Sequence, residues 1–135
     1  MEKIMVNVGK TPQGYSASID ILPGWVLGMT GSFADFKKEL QASIDIYIEW
    51  AKADGDKYPP EFDGEYSFEY KFNIKSLLNC YDGILSRAAI SRFTGINERQ
   101  LGHYICGRSY PRKTQEMKII NGFHQLGKEL LSVSV

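Results

Sequence analysis

Glu65-Tyr66-Ser67-Phe68-Glu69-Tyr70-Lys71-Phe72-Asn73-Ile74-Lys75-Ser76-Leu77-Leu78-Asn79-Cys80-Tyr81 changes its hydrophobic period in the middle. Up to Phe72, polar and aromatic residues alternate strictly, the period of two that marks a half-buried strand. From Asn73 onward, Ile74, Leu77, Leu78 and Tyr81 recur at i, i+3, i+4 and i+7, a helical stripe that Asn73 is suited to cap. The switch predicts two domains, an α+β one over 1–72 and an all-helical one over 73–135.

Working back from the aromatic strand, Ile4, Val6 and Val8 alternate with Met5 and Asn7, and Lys10-Thr11-Pro12-Gln13-Gly14 carries turn chemistry. A second strand follows with Tyr15, Ala17, Ile19 and Ile21 on one face. Leu22-Pro23-Gly24 breaks it, and Trp25 to Met29 forms a third. Ser32, with Asp35 three residues on, caps a helix whose apolar stripe is Phe33, Phe36, Leu40, Ile44, Tyr47 and Ala51. The expected order is β-β-β-α-β, with the helix covering one sheet face.

Working forward, Asp82-Gly83 ends the first helix, Ser86 caps a short one over Arg87 to Phe93, and Thr94-Gly95 closes it. Asn97 caps a third, with Gln100 at the box position, running to Ile105 and stopped by Gly107. After Pro111 comes a last helix, about Lys113 to Leu131, with Met117, Ile120, Phe123 and Leu130 inward. Two short helices joined by a tight turn containing glycine make a helix-turn-helix candidate, whose second helix enters the DNA major groove.

Charge divides along the same line. Residues 1–72 hold seven Lys, no Arg and twelve Asp plus Glu, a net of −5; residues 73–135 hold nine Lys plus Arg and four Asp plus Glu, a net of +5. The whole chain is neutral, and its 43% hydrophobic content supports a packed core. The asymmetry points to a polyanion for the basic half; a solvated imbalance without a partner is the plain alternative. No apolar run reaches membrane-spanning length, no signal-peptide pattern opens the chain, and two cysteines make no disulfide framework. The expectation is a reduced, cytoplasmic protein.

Take Arg99 as the origin of rotation about the third helix. His103 then falls at about 40° and Gln100 at about 100°. Leu101 and Ile105 fall on the opposite side, at about 200° and about 240°. An apolar back would anchor the helix and a polar front would meet bases. Arg99, Gln100 and His103 are the expected base-reading residues, since Arg reads guanine and Gln reads adenine bidentately. Arg87, Arg108, Arg112 and Lys113 flank that front and suit backbone phosphates. A solvated helix in a bundle is the competing explanation.

The stretch Ser86 to Asn97, followed by Leu101, Tyr104, Gly107 and Pro111-Arg112, resembles the helix-turn-helix of the Cro/phage-repressor class. Gly14-Tyr15-Ser16-Ala17, Leu22-Pro23-Gly24 and the capped helix running to a Pro-containing loop resemble the HicB antitoxin family over most of the front domain. Trp25 to Gly31 is more apolar than that family's usual stretch. The resemblance implies a HicB-like domain followed by a DNA-binding domain, forming a homodimer or higher even oligomer. It implies sequestration of a small mRNA-cleaving HicA-like toxin by the front domain and repression of the chain's own operon by the rear one. A DNA-binding regulator whose front domain only dimerises or senses a ligand is the alternative.

Other chemistries are weaker. HicB-like domains resemble RNase H, and a metal nuclease would draw on Asp20, Asp35, Asp45 and Glu49; capping explains Asp35, and the polar side of the helix explains Asp45 and Glu49. His103 and Cys106 are two ligands, short of a structural zinc site; Cys106 is assigned as a small filler, and Cys80 and His124 as packing. No enzyme activity, metal or cofactor is expected. Tyr66, Phe68, Tyr70 and Phe72 could stack RNA bases, but their acidic surroundings favour core or dimer packing. At a sheet edge they would be the oligomerisation surface, setting two DNA-reading units about 34 Å apart.

Overall fold

The structure, a computed structural model, describes all 135 residues. The chain is α+β and divides into two compact units, Met1–Asn73 and Ile74–Val135.

In the first unit, β1 (Glu2–Lys10), β2 (Gly14–Ser18) and β3 (Val26–Thr30) form an antiparallel meander, followed by α1 (Phe33–Asp54) and β4 (Tyr66–Phe72). The sheet order is β3-β2-β1-β4. β4 lies parallel to β1, with Ile4 opposite Phe68, Val6 opposite Tyr70 and Val8 opposite Phe72. A parallel neighbour requires a crossover connection, here supplied by α1. The Thr11 amide donates to the Gly14 carbonyl at 2.9 Å to close the first turn. Ser32 caps α1 by accepting from the Asp35 amide at 3.1 Å.

Alternation decides which sheet face is covered. Ile4, Val6, Val8, Tyr15 and Ala17 are buried together with Phe36, Leu40, Ile44, Ile48 and Ala51 of α1. Phe33 of α1 packs against Tyr70 and Phe72, with ring centroids 5.4 and 5.5 Å apart. The opposite face carries Lys3, Met5, Glu69 and Lys71, all exposed. Two expectations are corrected. Tyr47 is exposed and Ile48 takes its inward place, because the buried face of this 22-residue helix keeps to i+4 steps from Phe36 through Ile48. Ile21 is exposed because β2 ends at Ser18, and the turn after it buries Leu22 instead.

The second unit is α2 (Ile74–Tyr81), α3 (Arg87–Thr94), α4 (Glu98–Cys106) and α5 (Lys113–Leu131). Its core joins Leu77 and Leu78 of α2, Ile90 of α3, Ile96, Leu101 and Tyr104 around α4, and Ile119 of α5. Phe123 lies edge-on to Phe93 at 5.2 Å. Asn79 of α2 donates to the Ile105 carbonyl of α4 at 2.9 Å. In α5 Ile119 and Gly122 are buried and Ile120 and Phe123 half-buried, whereas Met117 and Leu130 are 48% and 60% exposed, contrary to expectation. Gly122 is the reason: α5 approaches α3 so closely there that a Cβ would stand 2.8 Å from the Phe93 carbonyl oxygen. That contact fixes which face of α5 turns inward, and a glycine carries no weight in a hydrophobic pattern. His124 is exposed rather than packed.

Candidate nucleic-acid interface

α3 and α4 are joined by three residues, Gly95, Ile96 and Asn97. Gly95 takes φ +77°, a left-handed conformation that glycine adopts without a Cβ penalty. Ile96 is buried and pins the link to the core. Asn97 then caps α4, its Oδ1 accepting from the Gln100 amide at 2.8 Å. Two caps and one buried side chain thus set the direction in which α4 leaves the turn.

Rotation about α4 follows from what it buries. Leu101 is fully buried and Tyr104 nearly so. At about 100° per residue this leaves a free strip bearing Arg99, His103 and Cys106. Arg99 and Cys106 are exposed and His103 is half-buried. Cys106 is therefore not the filler expected; its thiol donates to the His103 carbonyl at 3.6 Å from the open side of the helix. Gln100 sits on the shoulder of the strip, half-buried, its Nε2 donating to Ser109 Oγ at 3.2 Å.

The flanking bases are all exposed: Arg87 at the first position of α3, Arg108 in the loop after α4, Arg112 at the N-cap of α5 and Lys113 at its first position. Arg112 makes no side-chain capping bond. No carboxylate pairs with any of the five arginines of this unit. An open groove of about 420 Å³ runs between the first turns of α4 and α5, bordered by Asn97, Gln100, Tyr104, Tyr110, Arg112 and Gln115. Sequence reasoning missed Tyr110 and Gln115. The one available signal was the place of Tyr110 between Arg108 and Arg112 in the sequence; its side chain is 76% exposed.

Elsewhere, Tyr66, Phe68, Tyr70 and Phe72 line the helix-facing side of β4 and are half-buried. Tyr66 Oη accepts from Gln41 of α1 at 2.9 Å. β4 is also an edge strand, so one side of its backbone ladder is unpaired. Burial pushes the Tyr70 hydroxyl above its usual pKa. The four carboxylates considered for metal chemistry do not converge: Asp20 accepts from Asn7 at 2.9 Å, Asp35 lies in the first turn of α1, and only Asp45, which accepts from Gln41 at 2.9 Å, and Glu49 are neighbours, one turn apart on α1. No three His, Cys, Asp or Glu side chains converge in a way that could hold a metal ion. No helix is long and apolar enough to cross a membrane. Compared with protein-family models, curated proteins and solved structures, the chain matches none.

Proposed function

We propose that the chain is a sequence-specific DNA-binding repressor in which α3 and α4 act as a helix-turn-helix. α4 lies in the major groove, Arg99, Gln100 and His103 read bases, and Arg87, Arg108, Arg112 and Lys113 hold phosphates. The observation that carries this reading is where the cations stand. α3, α4 and α5 each have a basic residue at their start: Arg87 at the first position, Arg99 at the second beside Glu98, and Arg112 with Lys113 at the third start. A helix N-terminus is the positive end of the macrodipole, and a cation there destabilises by about 0.3–1 kcal/mol. Three such placements in one small unit disfavour its stability and favour an anionic partner, since amides and cations at a helix start bind phosphate together.

The first unit serves, on this reading, to sequester a small, basic, mRNA-cleaving HicA-like toxin, so that the chain is the antitoxin of a type II pair. Its net −5 suits such a partner, and its resemblance to HicB domains supports the assignment. β4, as an unpaired edge, offers the seam of a homodimer that reads a palindromic operator. The test is binding of the full chain to the DNA upstream of its own gene across salt concentrations. The expected result is preference over scrambled duplex by roughly 10³-fold or more. Equal affinity for both duplexes contradicts the repressor. Co-expression with a short basic reading frame adjoining the gene tests the antitoxin: a stable co-purifying complex supports it and mutual indifference contradicts it.

A further inference from the structure

Gly102 occupies the middle of α4, where glycine is a poor helix former. The space its side chain would fill is taken. A Cβ built there would stand 2.8 Å from Arg87 Nη1 and 3.5 Å from Arg87 Cζ. The guanidinium of the first residue of α3 thus lies on the backbone of α4, in the position of an α4 side chain. By helical rotation that position is about 60° from Arg99 and about 40° from Cys106, at the border of the free strip. Arg87 is nonetheless exposed as a residue.

We infer that Gly102 is a seat for Arg87, and that Arg87 and Arg99 present one composite guanidinium surface to the same DNA groove. Arg87 is a positioning and phosphate-holding residue whose placement is set by the missing side chain at 102. It contacts the backbone phosphate beside the base that Arg99 reads, and so fixes the register of α4. The physical advantage is preorganisation: a long side chain already laid on a helix surface loses less freedom on binding than one waving in water. The guanidinium approaches Gly102 through Nη1, and its rigid plane fixes where its remaining donors stand, whereas a lysine ammonium is a hydrated point charge. The inference rests on the DNA-binding reading proposed above and adds a contact that composition alone would treat as generic charge.

The test compares G102A, R87A, the double variant and R87K on duplex from upstream of the gene, alongside thermal unfolding of each. Nη1 is the free end of a flexible chain, so a methyl at 102 displaces it without breaking the fold. Alanine also favours the helix, and G102A is expected to unfold no earlier than wild type. R87A and G102A are each expected to lose roughly tenfold in affinity and about one unit of salt slope. The double variant is expected to be no weaker than R87A alone, the sign of two residues acting as one. R87K is expected to fall with R87A. Wild-type affinity in G102A, or losses that multiply in the double variant, overturns the seat and leaves the repressor standing. If G102A does not fold, R87K decides: wild-type affinity there overturns the inference. Failure of the wild type to bind any duplex sinks the repressor reading and this inference together.

Discussion

Gln100 Nε2 donates to Ser109 Oγ at 3.2 Å, tying the first turn of α4 to the loop that follows its last. The bond uses one amide hydrogen and leaves the other, with Oε1, for a bidentate pairing to adenine. On the proposed reading, Ser109 orients a base-reading amide from outside the helix. Ser109→Ala is expected to preserve fold and salt slope while blurring discrimination at one adenine position. An unaltered ranking of operator variants would show that Gln100 needs no such support.

Lys113 stands at the first position of α5, beside Arg112, where a carboxylate would suit the dipole better. Lys113→Glu should raise the stability of the helical unit by about 0.3–1 kcal/mol and at the same time weaken DNA binding. Arg112→Ala should lower affinity for every duplex and reduce the salt slope by about one unit. Chemical denaturation and salt titrations report the two effects separately. A Lys113→Glu protein that gains stability yet binds as tightly as before would remove α5 from the interface.

Two glycines of α5 separate packing from propensity. A Cβ at Gly122 would meet the Phe93 carbonyl at 2.8 Å, Phe93 Cδ2 at 3.0 Å and Thr94 Cγ2 at 3.1 Å, while at Gly127 it would meet nothing within 4 Å. Gly122→Ala should destabilise the unit by about 1–3 kcal/mol through overpacking. Gly127→Ala should stabilise it by about 0.5–1 kcal/mol through helix propensity. Equal signs for the two in a urea titration would mean that α5 does not rest on α3 at Gly122.

Alkaline pH probes the first unit. Burial raises the Tyr70 hydroxyl above its ordinary value near 10, so the folded state holds that proton more tightly than the unfolded chain does. The resulting stability is complete below pH about 10 and is lost as pH rises through the folded value. Both tryptophans, Trp25 and Trp50, belong to this unit, so their fluorescence follows its unfolding alone. Tyr70→Phe should flatten the alkaline loss of stability. A Tyr70→Phe protein that weakens with pH as steeply as wild type would place the titrating group elsewhere.

Local chemistry made much of this protein readable. Ser32, Ser86 and Asn97 each start a helix because an oxygen sits where a free amide needs it. The alternation Tyr66 to Phe72 announces a strand, and the rotation of Arg99, His103 and Leu101 about α4 follows from spacing alone. What pairs with what was hidden. Nothing local links Ile4 to Phe68 across a parallel ladder, since the whole of β2, β3 and α1 intervenes. Tyr47 and Ile48 compete for one inward position, and a stripe with mixed steps of three and four cannot choose between them. Gly122 and Gly102 were invisible for a shared reason: each matters through the side chain it lacks, and only the neighbour that fills the space reveals it.

Arg99 carries the central claim, and its measurement is direct. The full chain and Arg99→Ala are titrated against a panel of duplexes with one operator base pair changed at a time. Wild type should lose about 1–3 kcal/mol at a guanine that Arg99 reads, and the variant should be indifferent to that pair while keeping its preferences elsewhere. A variant that ranks every duplex as wild type does would mean that α4 turns some other face to DNA, or none.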